Sequence, residues 1–357
     1  MKAVILAAGQ GTRLRPVTLT MPKPLVPVAN RRLIVYAIEL LKTAGLTDIG
    51  IVVNSLESPI VEILGDGHDL GIKLEYIIQT EQNGLAHAIG LAQDFVGDEP
   101  FSVFLGDNIF QDKMTELLTS FEASDDEAAI VLGEVPDPTR FGIAELKDGK
   151  IINVVEKPQD PPSNMAIAGV YLFRKSIFDA ISRIVPSARG ELEITDAIGV
   201  LIKDGHQVDS YNLEGWWIDA GKPDSIIVAN QLVLEELPYS PPPENTDQII
   251  GDCEVSHRVI IGKGSKIIDS VVRGPVIIGE NTIITNSYVG PYTALGDNVT
   301  VENSQIEASI VMKNCEIRNI KGRIDRSLVA DNAKVYSSDH MPHAHRFVIA
   351  ENSFVQF

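Results

Sequence analysis

Cysteine is nearly missing from this sequence: the 357 residues include only Cys253 and Cys315. Two cysteines cannot build a disulfide framework, so a reducing compartment and a cytoplasmic location are expected. Basic residues are also scarce. The chain has 30 Lys and Arg against 49 Asp and Glu, a net charge of −19. Nucleic-acid backbones need basic patches, and this balance excludes nucleic acid as a partner class. If the substrates carry phosphate, the cations that hold them must be few and local. Long apolar runs are absent too. The opening Met1-Lys2-Ala3-Val4-Ile5-Leu6 starts like a signal peptide, but it is short and Gly9-Gln10-Gly11 interrupts it. No stretch reaches the length of a membrane span, so no membrane partner is expected.

What remains is an ordinary globular composition, 44 % hydrophobic and 22 % charged. The length exceeds one compact core and predicts two domains. Up to about residue 236, short apolar runs alternate with helical patterns. Residues 3–7, 49–53, 74–78 and 101–105 read as strands buried on both faces. Residues 32–44 place Ile34, Ala37, Ile38 and Leu41 on one helical face, with Gly45 as the stop. Residues 85–95 read as another helix. The alternation predicts an α/β fold, a Rossmann-like and mostly parallel sheet with helices on both faces. In such sheets ligands gather beyond the carboxyl ends of the strands.

The rhythm then changes. Residues 237–247 hold Pro238, Pro241, Pro242 and Pro243 and read as a stiff linker between a first domain over 1–236 and a second over 248–335. In the second domain Val271, Ile277, Ile283, Val289, Leu295 and Val301 recur at six-residue spacing, after Val255, Ile261 and Ile267 in another register. Ile261-Gly262, Ile278-Gly279, Val289-Gly290 and Leu295-Gly296 repeat an aliphatic–glycine step. This period is the signature of a parallel β-helix, each short strand giving one inward aliphatic to a stacked core. Residues 336–357 form a tail, where His340, His343 and His345 read as exposed rather than as a metal site.

The first candidate for chemistry is Leu6-Ala7-Ala8-Gly9-Gln10-Gly11-Thr12-Arg13-Leu14, directly after a predicted strand. Glycines there let backbone amides approach a phosphate. A dinucleotide fingerprint would need glycine where Leu14 stands, and a Walker A loop would need Gly-Lys-Ser/Thr, which does not follow. Instead come Arg13 and Pro22-Lys23-Pro24-Leu25, one arginine and one lysine held on a stiff loop, which suits a triphosphate. Gln79 follows another strand, and its amide can pair with the amide edge of a pyrimidine, with the Gly84 backbone completing the pairing. His87, on the helix that follows, reads as a surface or locally packed residue and takes no role. Asp107, after Gly106, suits Mg²⁺, which takes one or two carboxylates plus phosphate oxygens and water. Trp217-Ile218-Asp219-Ala220-Gly221 supplies the second carboxylate.

Taken together, Gly-x-Gly-Thr-Arg-Leu, Pro-Lys-Pro-Leu and Trp-x-Asp-x-Gly resemble the sugar nucleotidyltransferase family. The resemblance is strongest to the glucose-1-phosphate thymidylyltransferases, in the longer form with a carboxyl-terminal left-handed β-helix. It implies that Leu6, Gly9, Gly11, Thr12, Arg13, Gln79 and Gly84 bind the nucleotide, with Gln79 and Gly84 reading the base. It implies that Gly142, Glu156, Lys157 and Val170 bind the sugar and its phosphate. Arg13, Lys23 and Lys157 would carry catalysis, and Asp107 and Asp219 would hold Mg²⁺. The matching segment from Gly190 to Asp196 reads as structural. The implied reaction is attack of a glucose 1-phosphate oxygen on the α-phosphorus of dTTP, giving dTDP-glucose and pyrophosphate. UTP or another hexose phosphate stands as the alternative, because one methyl and one hydroxyl are small terms in binding. A non-catalytic subunit of the same fold would be expected to lack some of these cations and carboxylates. β-Helices also occur in acyltransferases, but no histidine lies between Ile260 and Ile317. The β-helix therefore reads as a packing or oligomerisation module, and a homo-oligomer is expected.

Overall fold

Unbroken aliphatic runs bury both faces when they form strands, because every second side chain points the other way. Lys2–Leu6 (β1), Asp48–Val53 (β2), Lys73–Ile78 (β3) and Phe101–Leu105 (β4) are the runs that the sequence marks. The computed structural model describes residues 1–111, 113–243, 247–337 and 352–356. In it these four strands pair in parallel, in the order β4-β1-β2-β3. Five more strands complete a nine-stranded sheet: Ala128–Glu134 (β5), Gly142–Lys147 (β6), Lys150–Glu156 (β7), Met165–Phe173 (β8) and Val208–Asn212 (β9). β8 runs antiparallel to β4, β5 and β6, β7 forms a hairpin with β6, and β9 is parallel to β5. The sheet is therefore parallel in its amino-terminal half and mixed beyond it.

Two local readings need correction. β3 is an edge strand, and Lys73, Glu75 and Ile78 are exposed, so it is not buried on both faces. The helix expected over 85–95 is two pieces, Leu85–Gly90 and Gln93–Val96. Gly90 weakens the helix there, since glycine loses more backbone entropy than any other residue. The sheet's core includes Val4, Val103, Ile130, Leu132 and Phe173, all fully buried, and the helix Ile194–Lys203 adds Ala197, Ile198 and Leu201. Each buried Val, Leu, Ile or Phe among them contributes about 1.5–3 kcal/mol relative to exposure.

The chain packs as two compact units. One comprises Met1–Gln10, Pro22–Leu25 and Leu33–Asp219; the other gathers Gly11–Met21, Val26–Arg32 and Ala220–Phe357. In the second unit the helix Pro223–Glu235 carries Asn230, a fully buried amide. Its Oδ1 accepts from the Ala29 amide at 2.8 Å and its Nδ2 donates to Tyr292 O at 2.8 Å. Asn30 Nδ2 donates to Leu295 O at 2.6 Å. Residues 247–336 form a left-handed β-helix of three parallel sheets with six, five and five strands.

Here the structure corrects the register of the repeat. Ile267 pairs with Ile284, then Val301, then Ile317, so a turn takes about 17 residues rather than three full sixes. The inward positions are Val272, Ile278 and Ile284, next to the predicted Val271, Ile277 and Ile283, and Ile283 is 41 % exposed. Val289, Leu295 and Val301 do point inward, as read. Asparagines with φ near +50° turn several corners, and their side chains stack in ladders, Asn286 to Asn303 to Asn319 and Asn298 to Asn314 to Asn332. Asparagine tolerates this left-handed backbone better than most residues. Among the described residues no helix is long and apolar enough to cross a membrane. His340, His343 and His345 lie outside the described residues.

Candidate active site

The four parallel strands end at one edge, with Leu6 opposite Val52 and Leu105, and Val53 opposite Ile78. Gly9, Gln79 and Asp107 follow directly, at the carboxyl edge where α/β sheets bind ligands. Gly106 makes the exit from β4 tight. Its amide donates to Leu6 O at 3.0 Å, and a Cβ on it would lie 3.1 Å from Ile5 Cγ2 and from that same oxygen. Asp107 therefore leaves the strand at a fixed point. Asp219 arrives by a two-stranded antiparallel ribbon, Trp217–Asp219 on Asn108–Phe110, that sets Asp219 opposite Asn108. Trp217 Nε1 donates to Asn108 Oδ1 at 2.5 Å, and Asn108 Nδ2 donates to Asp107 Oδ1 at 2.8 Å. Sequence positions more than a hundred apart are thus locked together by backbone pairing and two side-chain bonds.

The third member is Lys23, in the turn Lys23–Leu25 between Pro22 and Pro24. It is 7 % exposed, and its Nζ contacts Asp107 Oδ2 and lies 3.3 Å from Asp219 Oδ1. Two carboxylates that reach one ammonium converge on a single cation, the arrangement that a shared metal ion requires. Among the described residues no cluster of three or more metal-ligating side chains exists. Two carboxylates, with further positions left to phosphate oxygens and water, match the donor set that Mg²⁺ prefers.

Gln79 is 5 % exposed. Its Nε2 donates to Gly84 O at 3.3 Å and meets His87 Nδ1 at 3.1 Å. Gly84 has φ +105°, and a Cβ there would lie 2.4 Å from Leu192 O, so only glycine fits. The Ala86 amide donates to Leu192 O at 3.1 Å, and the Leu192 amide donates to Asn83 O at 2.7 Å. These bonds pin the loop from Gln79 to Gly84 to the segment from Gly190 to Asp196.

Gly142 and Glu156 are partners in the β6–β7 hairpin, and Lys157 N donates to Phe141 O at 2.9 Å. A Cβ on Gly142 would lie 2.9 Å from Thr195 Cγ2 and 3.3 Å from Glu156 Oε2, so this glycine opens room beside the carboxylate. Lys157 adopts φ +42°, a left-handed conformation that is sparsely populated for lysine and clusters at functional sites. Its Nζ lies 3.2 Å from Glu156 Oε1. Val170 is fully buried in β8 opposite Phe104, next to a break in the β8–β5 ladder between Ile167 and Tyr171. Such a bulge leaves backbone groups unpaired by the sheet. Burial, and secondarily the Glu156 charge, push the Tyr171 phenol above its ordinary range.

The glycine loop starts in one unit and ends in the other. Leu6 and Gly9 belong with the sheet, and a Cβ on Gly9 would touch nothing. Gln82 Nε2 donates to Ala8 O at 2.9 Å and ties the 79–84 loop to it. Gly11, Thr12 and Arg13 group with the second unit. There Gly11 is left-handed at φ 60°, the short turn Thr12–Leu14 follows, and Thr18 Oγ1 donates to Gly11 O at 2.7 Å. The Arg13 side chain is exposed.

Residues 2–236 match the nucleotidyl transferase family. The chain belongs to that family. It is 46 % identical, over 99 % of both chains, to the low-salt glycan biosynthesis nucleotidyltransferase Agl11 of Haloferax volcanii. It is 41 % identical to a glucose-1-phosphate thymidylyltransferase of Streptomyces griseus, over 100 % of this chain and 99 % of the other. Among solved structures, a Bacillus anthracis protein assigned as a glucose-1-phosphate thymidylyltransferase, crystallised with sucrose, is 39 % identical. It covers 67 % of this chain and 97 % of its own, with a TM-score of 0.63.

Sequence reasoning misses one residue that the structure sets beside Glu156. Arg189 places its guanidinium 3.4 Å from Glu156 Oε1 and 2.8 Å from Glu193 Oε1. Burial works against its charge, but Glu193, Glu191 and Glu156 more than offset this, and its pKa is raised. Glu193, 4 % exposed, also accepts from Ser187 Oγ at 2.7 Å. The carboxyl of Asp196 is raised by burial and then by Glu193. The acidic segment is thus an anchor, and the cation it anchors lies beside Glu156 and Lys157. The one signal in the sequence is Arg189 itself, a lone base directly before the acidic run from Gly190 to Asp196.

Proposed function

We propose that this nucleotidyltransferase joins dTTP to glucose 1-phosphate, giving dTDP-glucose and pyrophosphate. The observation that carries the reading is the convergence of Lys23, Asp107 and Asp219 at the carboxyl edge of the parallel strands. The Streptomyces griseus relative, similar over the whole chain, bears this activity in its name. Relatives of this family generally use a divalent metal, and we assign Mg²⁺ to Asp107 and Asp219. When bound there it would supply positive charge to the nucleotide phosphates.

The chemistry needs no general base, because a sugar phosphate is already ionised at pH 7. Its oxygen attacks the α-phosphorus, the bond from that phosphorus to the bridging oxygen breaks, and pyrophosphate leaves with the electron pair. The protein's task is to bring two polyanions together and hold them in line. In this reading Leu6, Gly9, Gly11 and Thr12 seat the nucleotide, and Arg13 and Lys23 neutralise the triphosphate. Gln79 and Gly84 read the base. Lys157 holds the attacking phosphate, while Glu156 and the backbones of Gly142 and Val170 hold sugar hydroxyls. Residues 1–236 then form the catalytic domain and 248–335 a β-helix that supports assembly into a homo-oligomer.

Gln79 meets the edge that thymine and uracil share, so UTP is the second reading. A matrix of nucleoside triphosphates against sugar 1-phosphates, scored by pyrophosphate release, tests both. The highest kcat/KM with dTTP and glucose 1-phosphate is the expected result; a higher value with UTP or another hexose phosphate replaces the assignment.

A further inference from the structure

We propose that His87 is a positioning residue for base selection, fixing the Gln79 amide so that its oxygen faces the nucleotide. The inference rests on Gln79 as the base reader and concerns how its amide is oriented. A glutamine amide has a donor end and an acceptor end of nearly equal shape, and reversing it exchanges the two. A side chain that reads a base must therefore be held in one sense.

Two neighbours do this. Gly84 O is the first carbonyl of the helix Leu85–Gly90 and already accepts the Ala88 amide at 3.2 Å. It is an acceptor held in place, and Gln79 Nε2 donates to it at 3.3 Å. Reversal would set the Gln79 oxygen against that carbonyl. His87 Nδ1 lies 3.1 Å from the same Nε2. With the nitrogen end turned toward Gly84, His87 Nδ1 must accept the second amide hydrogen. The ring is then neutral, with its proton on Nε2. Both amide hydrogens are spent inside the protein. Oε1 takes no hydrogen bond from a described residue and is what the amide offers a ligand.

An acceptor at this point asks the base for a donor. N3–H of thymine or uracil supplies one, whereas N3 of cytosine carries a lone pair and meets Oε1 with repulsion. His87 and Gly84 together thus turn one glutamine into a filter for the uracil-type edge. Without His87 the amide keeps only one of its two anchors, and the filter weakens.

The test compares kcat/KM for dTTP, UTP and CTP, at saturating sugar 1-phosphate, in the full-length protein and its variants. His87→Leu removes the acceptor, and the better of dTTP and UTP should lose about 5- to 10-fold of its advantage over CTP, the factor for one hydrogen bond. His87→Gln, which can offer a carbonyl oxygen to Gln79 Nε2, should restore most of it. A purely structural role for His87 would lower all three triphosphates together, and an unchanged ratio overturns the proposal. Gln79→Leu separates the two levels. If it leaves the ratio unchanged, Gln79 does not read the base and the parent reading fails. If it lowers the ratio while His87→Leu does not, only the role of His87 fails. Nitrogen-15 NMR of the wild-type imidazoles at about pH 8 is independent of variant folding: a proton on His87 Nε2 is expected, and one on Nδ1 overturns the proposal.

Discussion

Lys23 places its Nζ 3.3 Å from Asp219 Oδ1 while also touching Asp107, so one lysine neutralises both carboxylates assigned to the metal. A divalent ion and an ammonium cannot share that position. Metal binding must release Lys23, and the released ammonium is then free to meet a triphosphate oxygen. Lys23→Met should therefore bind Mn²⁺ more tightly than wild type when no nucleotide is present, by about tenfold or more in an electron paramagnetic resonance titration. Its kcat/KM for pyrophosphate release should fall by about 10²- to 10³-fold, the usual cost of one charge-stabilising contact. Equal Mn²⁺ affinity in the two proteins would show that Lys23 does not occupy the metal position.

Gly84 is held at φ +105° against the Leu192 carbonyl. Gly84→Ala forces a side chain into an essentially glycine-only conformation and places its Cβ within 2.4 Å of Leu192 O. The strain alone is about 1–3 kcal/mol, and the clash adds to it. A loss of about 3 kcal/mol in urea unfolding is expected, with a raised KM for the triphosphate and little change in KM for the sugar phosphate. A fully stable Gly84→Ala protein would mean that the loop moves freely from Leu192.

Glu193 has a nearly buried side chain, 5 % exposed, while its partner Arg189 remains 38 % exposed. Breaking a buried pair typically costs about 3–5 kcal/mol, and the exposure of Arg189 moves this toward the weak surface value. Glu193→Ala should lower stability by about 2 kcal/mol. It should also loosen Arg189 beside Glu156 and raise KM for the sugar phosphate more than for the nucleotide. If KM moves for the nucleotide alone, Arg189 does not serve the sugar side.

These residues differ in how visible they are in the sequence. Asp107 and Asp219 are legible because each closes an apolar run with a glycine within two residues, Gly106 and Gly221, a local signature. Their convergence is not, because it depends on a ribbon between strands more than a hundred residues apart. Gln79 follows an apolar strand and can be read from the sequence, but its orientation depends on Gly84 O and His87 Nδ1, which only three-dimensional packing brings together. Arg189 was hidden because it stands among glutamates that look like a solvated charge run. For the fold, the parallel half was readable from unbroken aliphatic runs, whereas β5 to β9 were not, since mixed pairing leaves no fixed spacing in the chain. The β-helix was readable by its period, but a fixed step of six cannot show where a turn drops one residue.

That dropped residue gives the sharpest test of the second unit. Val271, Ile277 and Ile283 have the right spacing and the right chemistry, yet the strands carry Val272, Ile278 and Ile284 into the core. Ile283 and Ile284 are chemically identical neighbours with opposite environments, 41 % and 0 % exposed. Ile284→Ala should cost about 2–5 kcal/mol, the transfer term plus the cavity that stacked rungs cannot close. Ile283→Ala should stay within about 0.5 kcal/mol of wild type, as surface truncations do. Thermal unfolding of the full-length protein with a spectroscopic probe in the β-helix measures both. Equal losses at the two positions would place the coil in a different register, and a larger loss at Ile283 would restore the uninterrupted six-residue step.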